Sequence, residues 1–174
     1  MKILGLIVIV SMVGACGSDD SELEALAGIY QTTKHTLNDE DCQAEGPDLT
    51  DMPYFQLVLE DLLGTKYLAF GSCESADSST CSGAGLFDAW IKRDGEIQHE
   101  VQMTSGGGEY GPCSLSLKHG TLTQAGDSVG MQIRSYHETD DTLTDEECDL
   151  DEVEARGTSM PCSSYEIIEG TRVP

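Results

Sequence analysis

From Ala27 onward the chain alternates apolar and polar residues with the period of strands. "GIYQTTKHTL" (28–37) is rich in Thr and Tyr. "PYFQLVLED" (53–61) places Phe55, Leu57 and Leu59 on one face, with Gln56 and Glu60 on the other. "KYLAFGS", "LFDAWIKR" and "EIQHEVQM" follow, divided by Gly, Ser and Asp clusters. "RDGE" (93–96) predicts a hairpin, because Asp-Gly suits a turn with positive φ at both central residues. "CSLSLKHGTLTQ" and "SVGMQIRSYH" predict another pair of strands around Ala125-Gly126-Asp127. The pattern then breaks. "TDEECDLDEVEARG" (144–157) predicts a surface helix capped by Thr144 with Glu147 and ended at Arg156-Gly157. Its apolar stripe is thin: Cys148, Leu150, Val153 and Ala155. "SSYEIIEG" supplies a last strand. Before the strands, Ser21 and Glu24 make a capping-box pattern for a short turn of helix that Gly28 could end. The expected fold is all-β: an antiparallel barrel of about eight strands with one late helix before the last strand, and a β-sandwich as the alternative.

The first fifteen residues follow different rules. After Met1-Lys2, Ile3–Val13 carries no charge, and Gly14-Ala15 are small. This is the layout of a secretory signal peptide, and the run is too short to span a bilayer as a helix. Val13-Gly14-Ala15-Cys16 resembles the lipobox of bacterial lipoproteins. That resemblance implies cleavage before Cys16, a diacylglycerol thioether on its sulfur and acylation (palmitate) of the new amino group. Acyl chains contribute about 0.8 kcal/mol per buried CH₂, and more than one chain is needed for stable anchoring. Gly17, where Asp favours inner-membrane retention in this family, implies the outer membrane if the cell has one. The expected division is residues 1–15 signal peptide, 16–26 lipidated Cys and tether, and 27–174 a single β domain.

Charge narrows the possible partners. The chain has 32 acidic residues against 9 Lys plus Arg, for a net charge of −23. Removing residues 1–15 takes away one Lys and no acid, leaving −24 on 159 residues. Such a surface repels phosphate backbones, so nucleic-acid binding is excluded, and it attracts cations, so no cofactor is expected beyond calcium that could bind weakly. Of seven cysteines, the lipobox resemblance commits Cys16 to lipid. The other six (Cys42, Cys73, Cys81, Cys113, Cys148, Cys162) predict three disulfides in an exported chain, and none has CxxC-type spacing for zinc. Cys73–Cys81 would close the polar loop "CESADSSTC"; Cys148–Cys162 and Cys42–Cys113 complete the expected set.

Several residues could carry chemistry. His99 shares parity with Ile97, Val101 and Met103; His119 with Leu115 and Leu117; His137 with Met131 and Ile133; His35 with Ile29 and Leu37. Convergence of three would make a metal site, whereas singly each reads as an interior or rim histidine. "AGDSVG" resembles the Gly-Asp-Ser block of an esterase family, with Ser128 as nucleophile, but here it occupies a hairpin turn of an all-β chain. "SGGGEYG" (105–111) lacks a phosphate loop's Lys and helix, and reads as a flexible connection. Asp140, Asp141 and Asp145 are candidate calcium ligands, although Glu146 stands where an EF-hand loop requires Gly. Trp90, opposite in parity to Phe87, Ala89 and Ile91, is expected to face outward.

The order of elements (short amino-terminal turn, Gly28-Ile29-Tyr30, hairpins, late helix, final strand) resembles the lipocalin and calycin layout. Tyr30 stands where that family has Trp, and seven strands precede the helix where the family has eight. The resemblance implies ligand binding without transferring any binding residue. Face parity makes Phe55, Leu57, Val101 and His99 the expected lining. The expected function is a non-enzymatic, lipid-anchored envelope protein that binds a small apolar ligand or a protein partner. An envelope hydrolase or metal-dependent enzyme is the alternative.

Overall fold

The computed structural model of the chain describes residues 8–9, 20–40, 42, 45–83 and 85–174. The lipobox, Cys16 and the cleavage site lie outside those residues. The strands are β1 (Val8–Ile9), β2 (Gly28–Asn38), β3 (Tyr54–Leu62), β4 (Thr65–Cys73), β5 (Cys81–Ser82), β6 (Ala89–Arg93), β7 (Glu96–Ser105), β8 (Cys113–Ala125), β9 (Ser128–Asp140) and β10 (Cys162–Arg172). The helices are α1 (Ser21–Leu26) and α2 (Leu150–Arg156). Neighbouring strands run β7-β6-β4-β3-β2-β10-β9-β8, and β8 pairs back onto β7. Every pairing is antiparallel, so the sheet closes into an eight-stranded barrel, the expected architecture rather than a sandwich. β5 adds to β4, and β1 lies against Gln102 and Met103 of β7, outside the barrel. The Asp94-Gly95 turn forms as the sequence predicts, with φ of 54° and 86°.

One half of the interior is filled. Tyr30 stacks on Phe55 with ring centroids 5.2 Å apart, and Phe70 packs beyond at 5.6 Å. Leu57, Leu68, Leu122 and Met131 belong to the same cluster, which continues toward Trp90, Ile133 and Ile168. α1 closes that end by burying Leu23 and Leu26, so part of the expected tether is a core element. Arg172 at the end of β10 locks it there. Its guanidinium donates to the carbonyls of Ala25 and Ala27 and to the Tyr30 hydroxyl, while that hydroxyl donates to the Leu26 carbonyl at 2.7 Å. These bonds satisfy carbonyls that the short helix leaves open. The amino-terminal cap differs from expectation: Asp20 occupies the N-cap, its carboxylate 3.5 Å from Lys66 Nζ rather than capping the helix amides, and Ala27, not Gly28, ends the helix.

The outer wall has its own apolar surface. Cys113, Leu115 and Leu117 of β8 face outward and pack against Val153 of α2 and Met160. His119 therefore faces outward too, 4.0 Å from Glu100, while Ser116, Lys118, Gly120 and Leu122 point inward. No bulge is involved, since β8 keeps one register with both neighbours. On β2 the opposite occurs: the pairing shifts between Gly170 opposite Thr32 and Glu169 opposite Lys34. The extra residue lets Tyr30 and His35 both face inward despite their different parity, leaving Ile29 on the other face. Trp90 reverses its expectation. It pairs with Leu68 on the inner face and is 2% exposed, whereas Ala89 and Ile91 form an outer cluster with Tyr67 and Ala69.

Three disulfides form, and two differ from the expected pairs. Cys73–Cys81 is as predicted. Cys113 bonds Cys148 because both lie beneath α2 on the outer wall, and Cys42 bonds Cys162 because β2 and β10 are neighbours. α2 also starts later than predicted. Thr144 and Glu147 do bond each other, but within a turn. Cys148 is tied down, Asp149 is extended, and Asp149 caps the helix through the Glu152 amide at 3.0 Å. The 105–111 connection is a tight fit rather than a flexible one: a Cβ on Gly107 would lie 2.7 Å from the Cys148 Cβ.

Candidate functional site

The half of the barrel away from α1 keeps a cavity of about 120 Å³ that opens to solvent. Phe70 from β4, Trp90 from β6, Ile133 from β9 and Ile168 from β10 make its apolar walls. His99 from β7, Lys118 from β8, Glu166 from β10 and Asp88 supply polar groups. Two of these walls pack directly on Gly120, where a Cβ would meet the Trp90 ring at 3.0 Å and Ile133 at 3.2 Å. Trp90 thus lies over the bare β8 backbone, and its ring centroid is 5.3 Å from that of His99.

His99 is 2% exposed. Its Nδ1 lies 2.9 Å from the Ala89 carbonyl, which can only accept, so Nδ1 carries the hydrogen. Burial holds the imidazole below its ordinary pKa of 6.5, and nearby Lys118 pushes the same way. The neutral ring therefore presents Nε2 as a bare acceptor, and that atom has no partner among the described residues. A buried acceptor without a donor costs about 1–3 kcal/mol, which a bound hydroxyl, N–H or water would offset. On the neighbouring strand Lys118 makes no ion pair within 4.0 Å among the described residues, whereas Glu166 accepts from His35 Nε2 at 3.0 Å.

Of the four residues expected to line a binding site, only His99 borders this cavity. Phe55 and Leu57 are 0% and 1% exposed inside the filled half, and Val101 is buried near the cavity without lining it. Lys118 and Glu166 were not expected, because β8 carries apolar residues at both parities and Leu115 with Leu117 suggest the wrong inner face. The pairing of Val101 with Lys118, visible only once β7 and β8 are in register, identifies the right one.

The remaining candidates disperse. His137 sits at the rim with Nδ1 3.0 Å from Ser116 Oγ, His119 is outside, and His35 is tied to Glu166. Ser128 Oγ faces Thr171 Oγ1 at 3.3 Å, with no histidine beside it among the described residues. Asp140 bonds Thr142 and Arg156, which bring its carboxyl down from 3.8 to about 2, and Asp145 accepts from the Glu109 amide at 3.1 Å. Arg156 also pairs with Glu138 and Glu152, so this acidic segment neutralises a cation of the chain and ties α2 to β9. Among the described residues no three His, Cys, Asp or Glu side chains group closely enough to hold a metal ion, so Asp140, Asp141 and Asp145 do not form the expected calcium set. No family model, curated protein or solved structure matches the chain.

Proposed function

We propose that the chain is an exported binding protein, anchored to the cell envelope through lipid on Cys16, with a disulfide-stapled barrel that holds a small molecule. Three disulfides suit an oxidising, extracytoplasmic compartment. An apolar run, a small pair and Cys16 in that order support the anchor. A chain of net charge −23 has little other means of adhering to anionic headgroups. The observation that favours binding over a purely structural role is the interior, filled at the α1 end and open around Trp90, His99 and Lys118 at the other. At about 120 Å³ the cavity suits a ligand far smaller than an extended lipid.

Two measurements test the two parts. Cys16→Ser is expected to move the protein from the membrane fraction to the soluble one and abolish labelling by a fatty-acid probe. Continued membrane attachment of the variant would end the anchor reading. For the barrel, thermal shift with a set of single-ring compounds is expected to show stabilisation by some members that is lost in Lys118→Met. No stabilisation by any member would end the binding reading and leave the anchor standing.

A further inference from the structure

The chemistry around the cavity narrows what it accepts, given that it is a binding site. Charge comes first. One ammonium, Lys118, faces two carboxylates, Glu166 and Asp88, inside a domain of strongly negative total charge. An anionic ligand would meet the two carboxylates and the His99 lone pair, and a cationic one would meet Lys118. A neutral ligand avoids both penalties. Hydrogen bonding comes second. His99 Nε2 can only accept once Nδ1 is committed to Ala89, and Lys118 can only donate. A group that gives one hydrogen and receives another satisfies both, and a hydroxyl does this with a single atom. Size and shape come third. A cavity of about 150 Å³ takes up benzene, so about 120 Å³ with an open mouth admits one ring and no more. Phe70, Trp90, Ile133 and Ile168 offer it apolar and aromatic walls.

We propose that the cavity binds a neutral, hydroxyl-bearing aromatic ring of the phenol class, its O–H donating to His99 Nε2 and its oxygen accepting from Lys118 Nζ. This rests on reading the barrel as a binding protein and adds the class of ligand. The bound oxygen would supply the donor that the buried imidazole lacks, which makes the hydroxyl, rather than the ring, the basis of selectivity. A site built to pair a hydroxyl rejects the analogue without one, because its polar atoms are then desolvated and unmatched.

The sole tryptophan of the chain is Trp90, a wall of the cavity, so its fluorescence reports occupancy directly. The experiment titrates the full mature chain carrying Cys16→Ser with phenol, toluene, benzoate and benzylamine at pH 7.5. Phenol is expected to give a saturable change in Trp90 emission, with toluene at least ten-fold weaker and the two ions weaker still. Lys118→Met, at a partly exposed position, is expected to weaken phenol about ten-fold while leaving toluene unchanged or improved. His99→Leu, if it folds by circular dichroism, is expected to erase the preference for phenol over toluene. Gly120→Ala, which pushes the Trp90 ring toward the cavity, is expected to weaken both. Toluene binding as tightly as phenol, or benzoate or benzylamine binding more tightly, would overturn the ligand class while leaving a binding protein. Equal phenol affinity in the parent and Lys118→Met would overturn it too. Silence of Trp90 toward all four, together with no thermal stabilisation by the wider ring set, would remove the binding reading itself.

Discussion

His99 shows how one side chain's surroundings set its behaviour. Burial disfavours the imidazolium and outweighs the bond to the Ala89 carbonyl, which favours it; the Lys118 ammonium adds to the burial effect and Asp88 opposes it, so the folded-state pKa lies below the ordinary 6.5. The folded chain then binds fewer protons than the unfolded chain as pH falls below 6.5, and stability declines over that window until the folded-state imidazole also protonates. The contribution is complete above the unfolded value and lost on the acid side. His99→Gln keeps a polar side chain but removes the titration. Melting temperatures at pH 7.5 and 5.5 should therefore fall less between the two values in H99Q than in the parent. An equal fall would show that groups other than His99 carry the acid response. Trp90 gives a second view, since protonation of a ring 5.3 Å from the indole should quench its emission over the same range.

At the scale of elements, two hairpins make the same turn with different residues. Asp94-Gly95 and Leu63-Gly64 both have positive φ at both positions, but Leu63 is a γ-branched residue at φ 55° and is 99% exposed. A left-handed conformation costs an ordinary L-residue about 1–2 kcal/mol, and Asn avoids much of that cost. Leu63→Asn should therefore stabilise the protein by about 1 kcal/mol, raising its melting temperature by about 2–4 °C. No rise would mean that Leu63 makes a compensating contact. The Asp94-Gly95 hairpin was legible in the chain because turn chemistry and alternation are local properties, whereas Leu63-Gly64 carries no such turn residue at its first position. Which face of a strand looked inward was not, wherever both faces carry apolar residues. β8 is the clearest case: Leu115 and Leu117 are buried by α2 outside the barrel, while Gly120 and Leu122 are buried within it. Lys118, central to the cavity, was hidden for that reason. Trp90 was hidden by the same kind of two-sided strand, with Ala89 and Ile91 in a small cluster outside. His35 depended on a bulge that no periodicity announces.

For the whole molecule, the disulfides differ in what they hold. Cys73–Cys81 closes a loop with a separation of 8 residues, and Cys42–Cys162 one of 120. Chain entropy assigns the short loop about 2.5 kcal/mol and the long one about 4.9 kcal/mol, since cost grows with the logarithm of loop length. Structure adds to the difference. Cys73–Cys81 joins β4 to β5, a two-residue strand outside the closed barrel, whereas Cys42–Cys162 fastens the connection between β2 and β3 to β10. That connection folds back on the barrel: the Leu49 amide donates to the His35 carbonyl, Asp48 bridges Thr36, and Met52 joins the central cluster. The double variant Cys42→Ser/Cys162→Ser should consequently lose about 2 kcal/mol more stability than Cys73→Ser/Cys81→Ser in urea unfolding. It should also raise hydrogen exchange at the Leu49 amide, while the short-loop variant leaves that amide protected. Equal losses, with exchange unchanged at Leu49, would mean that the backbone bonds alone hold this connection and that the long cross-link is dispensable to the barrel.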